Sequence, residues 1–299
     1  MTDRHYFFMR GLVSMTRTKL IIVEGIWGSG KSTTAKLIND HLTALGIDTH
    51  LFLEGDLDHP ADYDKVSCLT NKEYQKLLER HSESVGLIRS ITQCKGDYNF
   101  IDYGKHIQES SKVFPDELLS DVMQYDIYDG ILPLEQHCEV HLNRWSEFVQ
   151  AGLQEETVTI FECCFIQNPL SAMLGRYDAS EDTITDYVLK LGDIIKPLNP
   201  SLLYFHPGDV RSTLKRAFEE RSSEWQNGVT QYYTQQGYGR SHGLTGFDGL
   251  VEFLRVRTEI EMKIIERLLI SKSVIRNDDL NWERVHQEVI QFVMSNREK

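Results

Sequence analysis

Residues Gly25 to Ser32 read Gly-Ile-Trp-Gly-Ser-Gly-Lys-Ser, a complete G-x-x-x-x-G-K-[ST] phosphate loop. The motif lies between an apolar run, Leu20 to Val23, and a helix-forming stretch, the strand-loop-helix setting that gives it physical meaning. Gly25 and Gly30 let the backbone turn where a side chain would clash, so that successive N–H groups converge on phosphate oxygens. Lys31 adds a point charge for the outer phosphates and Ser32 offers a hydroxyl to Mg2+. The helix from Thr33 directs its positive end at the nucleotide. The predicted nucleotide-binding set is Gly25, Trp27, Gly28, Ser29, Gly30, Lys31, Ser32 and Thr33; the plain alternative is a Gly-rich turn without a ligand.

Working outward, 299 residues with 40% hydrophobic and 26% charged residues suffice for a large α/β core. No apolar stretch approaches the roughly 20 residues a membrane span needs, and residues 1–19 lack the apolar region of a secretory signal. They are read as an N-terminal extension, with the domain proper at 20–299 and a soluble, cytoplasmic setting. The five cysteines form no C-x-x-C pair and suit reduced thiols. A net charge of −13 argues against a nucleic-acid partner, which demands basic stripes. The acidity is uneven. Glu54, Asp56, Asp58, Asp62 and Asp64 follow one another without a Lys or Arg, and residues 109–139 hold eight acids against Lys112 alone. That pattern fits either a solvated face or an acidic site.

Strands are predicted at 20–24, 49–54, 157–162, 201–206 and 273–276, alternating with helices, which implies a parallel sheet of about five strands covered on both faces. The fold class is therefore an α/β three-layer sandwich. Residues 55–154 read as a helical insertion (72–91, 115–124, 134–150) with turns at Lys95-Gly96-Asp97 and Asp129-Gly130. A lid region spans 210–249: a charged helix at 210–221, then a Gly-, Tyr- and Gln-rich loop at 227–249. An amphipathic helix at 250–269 and a closing one at 282–294, capped by Asn281, complete the pattern.

The run Ile22-Val23-Glu24-Gly25-Ile26-Trp27-Gly28-Ser29-Gly30-Lys31-Ser32-Thr33-Thr34 resembles the opening of the thymidylate kinases and deoxynucleoside kinases. Phe161-Glu162-Cys163-Cys164 stands where that superfamily carries an acidic-Arg-Ser motif, and residues 200–221 look like its strand running into the lid helix. The resemblance implies a P-loop NTPase fold with ATP and Mg2+ as cofactors. It implies that Glu162 and Ser32 help hold the metal, that Glu54 is the general base and that Arg144 faces the acceptor. The chain departs from the pattern at Cys163, where a phosphate-facing or base-orienting Arg is missing, and at Glu220, which leaves Arg221 out of register.

Phosphoryl transfer needs positioning and charge neutralisation more than covalent help. Lys31, Glu54, Arg216 and Arg221 are the candidate catalytic residues, with Arg240 as another cation for the lid and Asp56 as another base. Charge complementarity points to a neutral nucleoside-like or a cationic, aminated hydroxyl compound as acceptor, contacted by Asp56, Asp58, Asp126, Arg144 and Trp145. Trp145 could stack on an aromatic acceptor, but it suits a half-buried place in the core better. A nucleoside monophosphate kinase, which would want basic residues around a dianion, is the first alternative; a non-catalytic or regulatory nucleotide-binding protein is the second. His137 and His141 lie four apart, but Glu139 is misplaced for a metalloprotease helix. The sequence leaves open whether a homodimer forms.

Overall fold

The computed structural model describes residues 17–109 and 114–297. The expected extension therefore lies outside the described residues as far as residue 16. The strands are β1 Leu20–Gly25, β2 Thr49–Phe52, β3 Val66–Thr70, β4 Thr92–Lys95, β5 Tyr98–Asp102, β6 Val158–Glu162, β7 Ser201–His206 and β8 Ser271–Arg276. The helices are α1 Lys31–Ala44, α2 Asn71–Arg80, α3 Val85–Ser90, α4 Tyr103–Glu109, α5 Asp116–Met123, α6 Leu134–Gly152, α7 Gln167–Met173, α8 Glu181–Ile195, α9 Val210–Glu219, α10 Ser223–Thr234, α11 Gly237–Ser241, α12 Gly246–Arg267 and α13 Trp282–Arg297.

Five strands form the main sheet in the order β2-β6-β1-β7-β8, with every neighbouring pair parallel. Parallel strands need crossovers, and the helices that provide them cover both faces. Alternation along β1 assigns the layers. Ile21 and Val23 pack with Ala35, Ile38 and Leu42 of α1 and Val285, Val289 and Val293 of α13. Leu20 and Ile22 pack on the other side with α6, α8 and α12. The architecture is the three-layer α/β sandwich expected from the strand pattern, and among the described residues no helix is long and apolar enough to cross a membrane.

Three expectations are corrected. Residues 55–154 are not purely helical, because they contain an antiparallel sheet in the order β3-β5-β4, with its own core around Leu69, Ile101 and Leu118. The helix expected over 72–91 stops at Arg80, passes through a 3-10 turn and resumes as α3. Its start is set by Thr70 and Glu73, which form a reciprocal capping box. The loop expected over 227–249 is largely α10 and α11. The Ser222 hydroxyl accepts from the Trp225 N–H at 3.3 Å to start α10, and Tyr233 stacks on Phe253 of α12.

Three buried histidines make the fold sensitive to acid. Burial pushes His59 down to about 4, and His137 and His141 each to about 3. The unfolded chain would protonate all three near pH 6.5, so stability present above that pH is lost as the pH falls toward 4. Glu24, raised to about 7, Asp126, raised to about 6, and Asp64, raised by burial, act with the opposite sign over part of the window; with His206, which burial also lowers, the histidines outnumber them. Urea midpoints are expected to drop between pH 6.5 and 4.5, and His141→Gln to flatten that slope. An unchanged slope in the variant would remove His141 from the explanation.

Candidate active site

The loop after β1 has the geometry its glycines predict. Gly25, Gly28 and Gly30 have φ of 142°, 76° and 97°, a region that L side chains resist. At Gly30 an added Cβ would come within 2.1 Å of the Trp282 ring. The Thr34 N–H bonds back to the Gly30 carbonyl at 3.0 Å, and among the described residues no side chain caps the start of α1. The amides of Lys31, Ser32 and Thr33 therefore keep the free, positive end of a 14-residue helix for an anion. Lys31 is buried and its Nζ donates to the Ile26 carbonyl at 3.2 Å, which holds the ammonium inside the curve of the loop.

Parallel strands bring three carboxylates to their C-terminal ends, where open α/β sheets bind ligands. Glu162 closes β6 and accepts from the Ser32 hydroxyl at 2.5 Å through Oε1. Its Oε2 accepts from the Glu54 N–H at 3.4 Å. Ser32 and Glu162 thus form one cluster of hard oxygens at the phosphate end of the loop, a fit for Mg2+, which takes one or two protein ligands and completes its shell with phosphates and water. Glu54 lies just past β2, and its Oε1 accepts from Gln167 Nε2 at 3.0 Å.

Glu24 is the third carboxylate. Fully buried, it accepts N–H bonds from Phe165, Ile166 and Gln167 at 2.8, 2.9 and 3.0 Å, seating the start of α7. Burial nevertheless pushes it up to about 7. Sequence reasoning assigned it no role; the signal was an acid in an otherwise apolar strand. Cys163 turns the chain here with φ of 61°, its buried thiol raised well above the ordinary range by desolvation. Cys163 and Cys164 are both inside, as small apolar residues.

Two cavities flank the loop. One, of about 440 Å³, is walled by the carboxylates of Glu54, Asp62, Asp64 and Asp129 and by aromatic rings that include Trp27, Tyr128, Trp225 and Tyr232. Among the described residues no Lys or Arg lines it. Asp62 is held by Asn168 Nδ2 at 2.8 Å and by the Tyr128 hydroxyl. Burial raises Asp64; Lys65 opposes the shift, while the neighbouring charges of Asp62, Asp129 and Glu54 reinforce it. The other cavity, of about 480 Å³, is bounded by Gly28, Ser29, Arg216, Asn277 and Trp282.

The acceptor residues expected from sequence lie elsewhere. Asp56 caps its own turn by accepting from the Asp58 N–H at 2.9 Å, and the Asp58 side chain, 78% exposed, pairs with Lys105. Asp126 is buried, accepting from the Tyr128 and Asp129 N–H groups at 2.8 Å each and from Tyr103, so it shapes the turn. Arg144 points to the His59 carbonyl at 3.1 Å and covers the Tyr63 ring. Trp145 is buried against Phe161 and Phe165 in the core. Of the lid cations, Arg216 lines the 480 Å³ cavity, whereas Arg221 lies over the Trp225 ring.

No family model matches the chain, and no curated protein does. Among solved structures, the chain is similar to a thymidylate kinase from Candida albicans with 11% identity and a TM-score of 0.42, over 94% of this chain and 93% of that one. A likeness at that level assigns no residue. The architecture rests on the sheet order and the loop described above.

Proposed function

We propose that the chain is an ATP-dependent kinase that transfers the γ-phosphoryl group to a hydroxyl of a small molecule carrying an aromatic or apolar body and a positive charge. One observation carries the reading: an acidic, aromatic cavity without a cation in its walls opens beside a complete phosphate loop, and Glu54 borders it. Lys31 and the loop amides would hold the β- and γ-phosphates. Ser32 and Glu162 would hold Mg2+, which when bound neutralises phosphate charge. Glu54 is placed to take the proton from the acceptor hydroxyl as its oxygen bonds to phosphorus and the bond to the β-phosphate oxygen breaks. Arg216, which lines the 480 Å³ cavity beside the loop, would act from the donor side.

Charge decides between acceptors. A nucleoside monophosphate would bring two negative charges beside Glu54, Asp62, Asp64 and Asp129, a repulsion that no lining cation offsets. A cation is attracted by the same four groups; a neutral nucleoside is tolerated. A screen with labelled ATP against amines, nucleosides and nucleotides, read by mass for a gain of one phosphoryl group, tests this. Phosphorylation of nucleoside monophosphates alone would refute the acceptor class.

Asp64→Asn is expected to weaken a cationic acceptor by about tenfold, an effect of order 1.4 kcal/mol for one partly buried charge. Because Asp64 titrates above the ordinary carboxylate range, wild-type acceptor binding should weaken as the pH falls through that raised value. The variant should lose that part of the pH dependence. Isothermal titration across pH checks both points, and an acceptor that binds the variant equally well would contradict them.

A further inference from the structure

We propose that Gln167 is the positioning residue that aims the Glu54 carboxylate at the acceptor hydroxyl. The proposal rests on the reading of Glu54 as the general base. Gln167 is 2% exposed and begins α7, where its own N–H is anchored by Glu24 Oε2 at 3.0 Å. Its side-chain Nε2 donates to Glu54 Oε1 at 3.0 Å. A carboxylate only accepts, so this contact fixes which way the amide faces. Among the described residues its amide oxygen, Oε1, is buried and has no hydrogen-bond partner, and Gln167 lines the 440 Å³ cavity.

Within the described residues the hydrogen bond of the amide N–H is the one to Glu54, so it is the Glu54 side chain that Gln167 constrains. Glu54 is then held at two points: its backbone N–H donates to Glu162 Oε2 at 3.4 Å, and its side-chain Oε1 accepts from Gln167 Nε2 at 3.0 Å. Oε2 is left for the proton.

The choice of an amide follows from the cavity's charge. Cys163 occupies the turn where the resemblance expects a base-orienting arginine. Cys163 has Glu54 among its charged neighbours, so a guanidinium there would add a positive charge beside the one carboxylate that both neighbours Cys163 and lines the cavity. A neutral donor orients the base and leaves the cavity negative.

A double-mutant cycle on the full chain, with Mg·ATP and an equimolar mixture of hydroxylated aromatic amines, tests the proposal. Gln167→Leu is expected to lower kcat by at least about tenfold, within the general-base contribution, while the KM for ATP stays within about twofold. In the Glu54→Gln background the same change should cost nothing further, because its effect runs through Glu54. An unchanged kcat, or an equal loss in both backgrounds, would overturn the proposal. NMR of the wild-type Gln167 carboxamide decides the contact even if Gln167→Leu fails to fold: its resonances should move on Glu54→Gln, and no movement would overturn it. If the wild type transfers no phosphate while that shift is present, the kinase reading falls and the contact stands.

Discussion

Lys31→Ala is expected to cut phosphoryl transfer by about 10³-fold or more, since removing one preorganised charge or donor at a transition state costs 10²–10³ and a phosphate-facing cation up to more. Lys31 is buried at the first position of α1, with its ammonium on the Ile26 carbonyl at 3.2 Å, inside the loop whose amides face the same anion. Alanine keeps the helix and the backbone of the loop. It also removes a desolvated charge, so stability should change little. Turnover measured with labelled ATP, alongside a thermal unfolding curve, separates loss of chemistry from loss of fold. A folded variant with wild-type turnover would take the loop out of the mechanism.

Arg257→Leu is expected to cost about 3–5 kcal/mol of stability, the range for breaking a buried ion pair and stranding its partner. Arg257 and Glu261 lie one turn apart on α12, 0% and 1% exposed, with Nε 3.0 Å from Oε1. The Tyr204 hydroxyl donates to Glu261 Oε2 at 2.5 Å, Arg257 Nη1 donates to Ser171 at 3.2 Å, and the guanidinium covers the Trp27 ring of the phosphate loop. Without the arginine, Glu261 is an unpaired charge in the core, near Glu24. Changing Glu261 to Leu as well should recover most of the loss, because the pair is replaced by apolar packing and the two effects couple strongly. Urea unfolding of the single and double variants measures this. A loss below about 1 kcal/mol for Arg257→Leu would contradict the role given to the pair.

The phosphate loop was legible because its requirements are local: positive φ at Gly25, Gly28 and Gly30 is a demand on single residues. The main sheet was legible because β1, β6 and β7 are buried on both sides and read as continuous apolar runs. The β3-β5-β4 sheet was not. Its turn at Lys95-Gly96-Asp97 was visible, but Thr92–Lys95 is polar and half exposed and lacks a strand's apolar alternation, although it pairs with β5 as a hairpin across Gly96-Asp97. Residues 223–234 carry Gly228 and β-branched residues that weaken a helix; packing of Trp225 on Trp27 and Tyr233 on Phe253 overrides them.

That the acidic stretches would gather carboxylates around a cavity was legible in kind and not in detail. The same two acidic stretches supply it, yet the turn geometry of 56–64 and 126–130 turns Asp62, Asp64 and Asp129 to the cavity and gives Asp56 and Asp126 to backbone amides. No one-dimensional pattern distinguishes those carboxylates. Gln167 was equally invisible, since its role exists only because α7 starts beside the end of β2.

The central claim is that the amides of the loop and of the first turn of α1 grip a triphosphate whose terminal group is passed to an alcohol. A structure of the chain with ATP and Mg2+ tests it most directly. The account predicts the β- and γ-phosphates on the amides of residues 28–33, Lys31 Nζ moved from the Ile26 carbonyl to phosphate oxygens, and the γ-phosphate facing Glu54. A triphosphate bound elsewhere, with Lys31 still on Ile26, would contradict it.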